Sequence, residues 1–158
     1  MKHLAAIALG SNLASQFGDP AANIGEAVSR LRELGALRAL SSFFETVPVG
    51  YVDQPNFTNA AALLETELEP VELITALLAI ERAMGRDRSA AVPAKGPRII
   101  DLDLLLMDDV VLNTPSLTLP HPAMAERRFV LEPLAEIAPG MVDPRTGCTV
   151  AEMLARLG

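Results

Sequence analysis

The chain has 158 residues, half of them hydrophobic, and a formal net charge of -7. This length suits one well-buried domain and is short for two, so we expect a single domain over residues 1–158. The acidic balance argues against nucleic acid or an anionic membrane as a partner, because such binding needs an extended basic surface. No apolar run reaches the roughly 20 residues that a membrane-spanning helix requires.

Cys148 is the only cysteine, which excludes an internal disulfide and a cysteine-based zinc site. A single thiol fits a reducing cytoplasm. The short apolar stretch within residues 1–10 is too short for a secretory signal. We therefore expect a cytoplasmic protein, and we expect it to be a monomer.

The hydrophobic periodicity and the turn residues predict alternating strands and helices. In chain order they are a strand at 3–9, a helix at about 20–34, strands at 37–45 and 57–67, a helix between Glu69-Pro70 and Gly85, a strand from Arg98 to Met107, a short hairpin partner at 110–113, and short helices near 129–137 and 149–157. The order strand, helix, strand, strand, helix, strand predicts an α+β, ferredoxin-like βαββαβ core with appended C-terminal short helices.

The last long strand carries two acids, Asp101 and Asp103, in an otherwise aliphatic run. Side chains alternate faces along a strand, so both acids point the same way and the adjacent leucines face the core. Two neighbouring carboxylates repel one another and lose solvation, and a divalent cation would offset that cost. Mg²⁺ suits the pair, because it usually takes one or two protein carboxylates and completes its octahedron with water and phosphate oxygens. The alternative is that the acids lie at an exposed strand end or pair with arginines.

Seven of the thirteen basic residues fall between positions 82 and 128. A local positive field inside an acidic protein suits a compact polyanion such as a nucleoside triphosphate. The sequence lacks G-x-x-x-x-G-K-[ST] and G-x-G-x-x-G, so arginines and metal would have to hold the nucleotide. The small and basic residues at 86–95 indicate either a mobile lid over phosphates or a solvated linker.

Two further polar residues, Asn59 and His121, each allow two interpretations of their role. Asn59 shares a predicted strand face with Phe57, and a buried asparagine must find partners for its amide group. It is therefore either a structural staple or a reader of a ligand. His121 lies between two prolines and either contacts a phosphate or is simply solvated.

Several segments, in order along nearly the whole chain, carry a resemblance to a known family. They are Ala8-Leu9-Gly10-Ser11-Asn12, Thr46-Val47-Pro48-Val49-Gly50, Asp53-Gln54-Pro55-Asn56-Phe57-Thr58-Asn59-Ala60, Gly96-Pro97-Arg98-Ile99-Ile100-Asp101-Leu102-Asp103, Leu119-Pro120-His121-Pro122 and Arg127-Arg128-Phe129. Together they resemble the 6-hydroxymethyl-7,8-dihydropterin pyrophosphokinase family of folate biosynthesis. The G-P-R-x-x-D-L-D segment is the most specific of them.

The resemblance implies a ferredoxin-like enzyme that transfers the terminal pyrophosphoryl group of ATP to the hydroxymethyl group of 6-hydroxymethyl-7,8-dihydropterin and releases AMP. It implies that Asp101 and Asp103 bind two Mg²⁺ ions and that Arg86 and Arg98 are catalytic residues that hold phosphates. The implied ATP site consists of Glu81, Arg86, Arg98, Thr118, His121 and Arg127. The implied pterin site consists of Asn59, which reads the ring edge, Phe57 and Phe129, which stack on the ring faces, and Thr46 and Val49, which line the pocket.

The sequence also departs from the common pattern of the family. Lys95 stands where a tryptophan is frequent, Ala94 where a basic residue is usual, Phe57 and Pro122 where tyrosines are frequent, and Ser116 where some members have arginine. These departures bear on the predicted lid and on nucleotide affinity more than on the reaction, since phenylalanine retains the stacking surface of tyrosine.

Two other functions are compatible with parts of the pattern. A different metal-dependent phosphotransferase or hydrolase on the same fold would leave Phe57, Asn59 and Phe129 without a shared task. A non-catalytic ligand-sensing module, a common use of ferredoxin-like domains, would leave the paired acids beside an arginine cluster unexplained.

Overall fold

The computed structural model describes residues 2–47, 54–85 and 98–158. That part of the chain forms seven strands, four α-helices and a short 3-10 helix at Met124–Glu126. The strands are β1 (His3–Ser11), β2 (Ala36–Leu40), β3 (Phe44–Thr46), β4 (Phe57–Thr66), β5 (Asp101–Met107), β6 (Leu112–Asn113) and β7 (Thr118–Leu119). The helices are α1 (Pro20–Leu31), α2 (Pro70–Ala83), α3 (Arg128–Ile137) and α4 (Val150–Arg156).

Five strands form one antiparallel sheet with the order β2-β4-β1-β5, in which β3 also pairs with β4. In the two central strands, β1 and β4, most residues are buried, on both faces of the sheet. This mixed α/β architecture with an antiparallel sheet confirms the coarser part of the fold prediction. Strand β5 lies at one edge of the sheet, a position that matters for the site described below.

Helices cover both faces of the sheet. On one face, α1 and α2 pack on Ile7, Leu9 and Leu64 in the larger of two hydrophobic clusters. On the other face, α3 and α4 pack on Ala6 and Leu63 in the second cluster. The cleft described below continues this second face.

The helix starts follow from local capping. The side chain of Asp19 accepts a hydrogen bond from the Ala22 N–H at the start of α1, with Pro20 at the first helical position. Glu69 and Glu72 form a reciprocal capping box at the start of α2, and Thr149 and Glu152 form another at the start of α4.

The strand predicted at 37–45 is divided into β2 and β3. The break begins at Ser41, whose backbone N–H donates to the Ala61 carbonyl and whose hydroxyl accepts from the Ala61 N–H. Next to it, the Ser42 N–H and hydroxyl both donate to the Glu136 carboxylate of α3. These side-chain bonds replace the regular ladder, and periodicity alone does not reveal them.

Two further boundaries differ from prediction. Strand β5 begins at Asp101 and not at Arg98, because the Arg98 backbone bonds to Asn12. Strand β6 pairs with β7 in a separate small sheet, so the prediction that 110–113 pairs with the preceding strand is wrong. None of the helices in the described ranges is long and apolar enough to cross a bilayer.

Candidate active site

A cleft opens at one end of the sheet, on the face that α3 covers. Strands β1, β3, β4 and β5 and the start of α3 all contribute to it. Its lining residues are Ala8, Leu9, Gly10, Thr46, Val47, Phe57, Asn59, Arg98, Asp101, Asp103, Arg127, Phe129 and Val130. The structure thus brings together eight of the residues predicted for the ATP, metal and pterin sites.

The floor of the cleft is set by strand register. Asn59 pairs with Gly10 across β4 and β1, and Gly10 pairs with Asp101 across β1 and β5. Directly paired residues point to the same face of a sheet, so Asn59 and Asp101 face the cleft from either side of Gly10. Two strand spacings of about 4.8 Å separate them by about 10 Å. In the neighbouring row Ala8 pairs with Asp103, which places both acids on this face.

Gly10 gives Asn59 the space it occupies. A Cβ added to Gly10 would lie 3.0 Å from the amide oxygen of Asn59, so any side chain there would press on the amide. The Asn59 side chain is nearly buried, at 7% exposure, and its amide nitrogen donates to the Thr46 hydroxyl at 2.5 Å. Asn59 therefore has the structural role that was one of its two interpretations, and it also lines the cleft; its role in reading a ligand stays a prediction.

The acid pair, Asp101 and Asp103, has a basic neighbour. A guanidinium nitrogen of Arg98 lies 3.0 Å from Asp101 Oδ2, with the two side chains 15% and 25% exposed. The arginine alternative considered above therefore holds for Asp101 in this structure. Both acids face the cleft together, and that geometry also suits a bound cation.

Two arginines lie over the two aromatic rings of the cleft. The Arg98 guanidinium carbon is 5.9 Å from the centre of the Phe57 ring, and that of Arg127 is 5.7 Å from the centre of the Phe129 ring. These distances are in the range of cation–π contacts. The cleft therefore combines flat apolar surface with positive charge, as a heteroaromatic substrate and a polyphosphate together would require.

Asn12 connects the elements around the cleft, a role that the sequence interpretation missed. It is buried, at 3% exposure. Its N–H donates to the Arg98 carbonyl and its Oδ1 accepts from the Arg98 N–H. Its amide nitrogen donates to Gln54 Oε1 and to the Pro55 carbonyl. In the sequence, Asn12 stood out only as part of a segment that carries the family resemblance, although the need of a buried asparagine for several partners was an available signal.

Three of the described residues predicted for the ATP site, Glu81, Thr118 and His121, do not line the cleft. Glu81 is completely buried on α2, and its Oε2 accepts a hydrogen bond from the Leu102 N–H at 2.7 Å. Thr118 lies on β7, where it pairs with Asn113. Their participation in nucleotide binding stays a prediction.

His121 lies near the cleft. Burial lowers the pKa of its imidazole, Arg127 lowers it further, and Asp101 acts in the opposite direction. The imidazole is therefore mainly neutral at neutral pH. Its Nδ1 accepts a hydrogen bond from the Ala123 N–H, which assigns the proton of the neutral ring to Nε2. That N–H is suited to donate to an anionic oxygen.

Val49 and Arg86 lie outside the described residues, and so do Ala94, Lys95 and the segment predicted as a lid. In the described ranges, no group of three or more His, Cys, Asp and Glu side chains is placed to hold a metal. Two carboxylates are enough for Mg²⁺ when phosphates and water supply the other oxygen ligands. The donor set of the acid pair therefore fits a nucleotide-bound Mg²⁺ and does not form an all-protein metal cage.

Comparison with known proteins agrees with the chemistry of the cleft. The family model described as 7,8-dihydro-6-hydroxymethylpterin-pyrophosphokinase (HPPK) matches residues 6–139. The chain is also 44% identical over 139 residues to the 2-amino-4-hydroxy-6-hydroxymethyldihydropteridine pyrophosphokinase of Bacillus subtilis, covering 87% of this chain and 79% of that protein.

The chain belongs to the HPPK family. The Pseudomonas aeruginosa pyrophosphokinase is 42% identical over 151 residues, covering 94% of this chain and 88% of the relative. The predictions of the family, of a pyrophosphokinase, and of pyrophosphate transfer to hydroxymethyldihydropterin in folate synthesis are confirmed. ATP is the co-substrate of the reaction that these names describe.

Some HPPK relatives are much longer than this chain. The folic acid synthesis protein fol1 of Schizosaccharomyces pombe is 39% identical over 156 residues, which are 98% of this chain and 20% of fol1. The solved structure of Plasmodium falciparum HPPK-DHPS aligns with a TM-score of 0.76 at 16% identity, covering 99% of this chain and 45% of that one. At that identity, the likeness supports the fold alone.

Proposed function

We propose that the cleft catalyses pyrophosphoryl transfer from ATP to 6-hydroxymethyl-7,8-dihydropterin, with the pterin on the Asn59 side and the phosphates on the acid-pair side. The hydroxymethyl oxygen attacks the β-phosphorus of ATP. The bond from that phosphorus to the oxygen shared with the α-phosphate breaks, and AMP leaves. The products are the pterin diphosphate, AMP and the proton released from the hydroxyl group.

The observation that carries this proposal is the row Asn59, Gly10, Asp101. It spans about 10 Å on one face of the sheet, a distance that a bicyclic ring and its substituent can bridge. Asn59 would bind the hydrogen-bonding edge of the pterin, while Phe57 and Phe129 would stack on its faces. Thr46 holds the Asn59 amide in position, and Val49 completes the predicted pterin set.

On the other side of the row, Asp101 and Asp103 would hold two Mg²⁺ ions that carry the phosphates. Such ions neutralise phosphate charge and make a bound alcohol easier to deprotonate, so no side-chain base is assigned. Arg98 and Arg127 supply positive charge in the cleft, His121 offers its Nε2 proton, and Arg86 is predicted to join them. Because Arg98 forms an ion pair with Asp101, we expect it to move to a phosphate when metal and nucleotide bind.

The finer fold class belongs to the same proposal. The sheet order, the antiparallel pairing and the placement of α1 and α2 on one face favour a ferredoxin-like core, with α3 and α4 appended. We also propose that residues 1–158 act as one pyrophosphokinase domain in the cytoplasm, as a monomer.

Product analysis tests the reaction. The chain is incubated with ATP, Mg²⁺ and the reduced hydroxymethylpterin, and nucleotides are separated by chromatography. AMP and pterin diphosphate are expected in equal amounts, with neither formed when the pterin is omitted or the metal is chelated. Formation of ADP, or of AMP without pterin, would contradict the proposal.

A further inference from the structure

Glu81 is a carboxylate buried between α2 and the edge of the sheet. Its exposure is 0%, and burying a carboxylate is costly unless hydrogen bonds compensate for lost water. One compensation is the bond that its Oε2 accepts from the Leu102 N–H at 2.7 Å. Leu102 lies between the two members of the acid pair.

This bond acts on the outer side of strand β5. Within residues 2–47, 54–85 and 98–158, β5 pairs with β1 on one side and with no strand on the other. The Leu102 N–H points to α2, so the Glu81 carboxylate occupies the position that a neighbouring strand would otherwise fill. The hydrogen-bonded nitrogen is part of the peptide unit that joins Asp101 to Leu102, and Asp103 follows Leu102 directly. Fixing this nitrogen therefore restrains the backbone from which both acids project.

The Leu102 side chain adds a second restraint. It is buried in the hydrophobic cluster on the α2 side of the sheet, at 2% exposure, while the acids face the cleft on the other side. Glu81 does not line the cleft. Glu81 is therefore placed to act on the acid pair through the main chain of β5 and not through the cleft.

We infer that Glu81 is a positioning residue that holds Asp101 and Asp103 in the arrangement in which they receive nucleotide-bound Mg²⁺. This inference rests on the proposed function of the acid pair. It gives Glu81 a task in metal binding that needs no contact between its side chain and the nucleotide.

Two substitutions of similar length test the inference. Glu81→Gln retains an oxygen acceptor for the Leu102 N–H, whereas Glu81→Met retains the unbranched stem and loses the acceptor. Both residues favour helices about as well as glutamate does, so α2 itself should be little affected. Should E81M not fold, Glu81→Asp carries the same comparison, because it shortens the reach of the carboxylate by one methylene.

The first measurement needs neither metal nor turnover. Hydrogen exchange of the Leu102 amide is followed by NMR in the ligand-free protein, with unfolding curves for each variant. Wild type and E81Q should protect this amide, and E81M should lose the protection while the amides in the centre of β1 keep theirs. Continued protection of Leu102 in E81M would overturn the inference.

The second measurement is calorimetric titration with Mg²⁺ and an ATP analogue that has a methylene between its α- and β-phosphorus atoms. E81M should bind it about 10- to 100-fold more weakly, the usual effect of removing a group that orients metal ligands. E81Q should remain close to wild type, and all three should bind 6-hydroxymethylpterin equally. Equal nucleotide affinity in E81M and wild type would overturn the inference, as would an equal loss for nucleotide and pterin.

The same titration separates this inference from the proposed function. If wild type showed no Mg²⁺-dependent uptake of the analogue, the metal role of the acid pair would fail, and the positioning role would fail with it. If wild type bound the analogue and E81M matched it, only the positioning role would fail.

Discussion

Asp101 and Asp103 face the same cleft, and Asp101 forms an ion pair there. Arg98 lies 3.0 Å from Asp101, and Asp101 is therefore partly neutralised before any metal arrives. A partly buried ion pair stabilises the fold modestly, whereas two like charges side by side destabilise it. Replacing Asp101 therefore removes an ion pair as well as a carboxylate of the cleft.

We predict that Asp101→Asn and Asp103→Asn each lower turnover by roughly 100-fold or more, because each removes a charged metal ligand. Asp101→Asn also loses the ion pair with Arg98 and should be slightly destabilising. Rates of AMP release and urea unfolding curves measure both effects. Near-normal turnover in either variant would show that the metal assignment is wrong.

Asn59→Ala should weaken pterin binding and leave nucleotide binding unchanged. The variant removes the amide that faces the cleft and leaves the acid pair untouched. A lost hydrogen bond of this kind costs about 1 to 3 kcal/mol, which corresponds to an affinity loss of roughly 5- to 150-fold. Titration with 6-hydroxymethylpterin, and separately with Mg²⁺ and the ATP analogue, gives the two affinities.

Thr46→Val provides the matched control for that prediction. It removes the hydroxyl that accepts from the Asn59 amide nitrogen but leaves the amide in place. Its loss of pterin affinity should therefore be smaller than that of Asn59→Ala. A selective loss of nucleotide affinity in Asn59→Ala would contradict the assignment of the pterin side.

At the scale of residues, the sequence predicted which side chains share one face of a strand. The two-residue period places Asp101 with Asp103, and Phe57 with Asn59, whatever the rest of the fold. Only the family resemblance related Arg127 and Phe129 to those residues, because no periodicity connects a helix start to strands far away in sequence. The ion pair of Arg98 with Asp101 was one of two open alternatives, since an i, i+3 spacing before a strand does not fix where a long side chain lies.

At the scale of elements, His3 joins three of them at the end of the sheet opposite the cleft. It lies near the start of β1. Its Nδ1 is 2.6 Å from Asp108 Oδ2, just after β5, and its Nε2 is 2.5 Å from Glu69 Oε2, just before α2. The hydrogen bond to Asp108 raises the pKa of His3, burial acts against it, and Glu69 raises it further. The contact is therefore strongest when His3 is protonated.

We predict that this cluster stabilises the fold more at pH 6 than at pH 9. Because the pKa of His3 is raised in the folded chain, the stabilisation is complete below the unfolded value of about 6.5 and is lost as the pH rises through the folded value. The free energy of unfolding of wild type and His3→Gln should differ more at pH 6 than at pH 9. An equal difference at both pH values would contradict the prediction.

His121 provides a comparison in which the pH dependence of stability has the opposite sign. Its pKa is lowered, mainly by burial, so its contribution is present above the unfolded value and is lost as the pH falls. The unfolding free energy of His121→Gln should accordingly approach that of wild type as the pH falls, the reverse of the trend for His3→Gln.

Gly25, within α1, and Gly35, in the turn that follows this helix, differ in how close their neighbours lie. A Cβ on Gly35 would lie 2.1 Å from the Glu65 carbonyl oxygen of β4, whereas a Cβ on Gly25, within α1, would meet nothing within 4 Å. Gly35→Ala should destabilise by roughly 1 to 3 kcal/mol through overpacking. Gly25→Ala should stabilise by about 0.5 to 1 kcal/mol through helix propensity. Thermal unfolding of the two variants measures the difference, and a Gly35→Ala variant as stable as wild type would contradict the close approach.

The order of the elements was predictable, and several of their ends were not. The division of β2 from β3 depends on bonds to Ala61 and Glu136, and the late start of β5 depends on Asn12. All of these partners are distant in sequence. Local propensity does not include them, so the predicted strands were too long at these points.

At the scale of the whole molecule, the sheet brings together, at one end, residues that are far apart in sequence. The cleft takes side chains from positions 8 to 130, and the far end of the sheet holds the His3 cluster. The antiparallel order places the strand with Asn59 and the strand with the acid pair on either side of β1. In this arrangement a small residue on the central strand, Gly10, leaves space between the two groups, and we propose that the pterin lies there.

The most direct test of this account locates the metal. Mn²⁺, which like Mg²⁺ prefers octahedral oxygen ligands, is added with the ATP analogue, and paramagnetic broadening of backbone amides is measured by NMR. The account predicts loss of the amide signals of Gly10, Asp101, Leu102 and Asp103, with broadening that decreases along β5 and is least at Thr66 at the far end of the sheet, and recovery of the lost signals in a variant with both acids replaced by asparagine. Sharp signals for residues 101–103 in the wild-type complex, with broadening elsewhere, would contradict it.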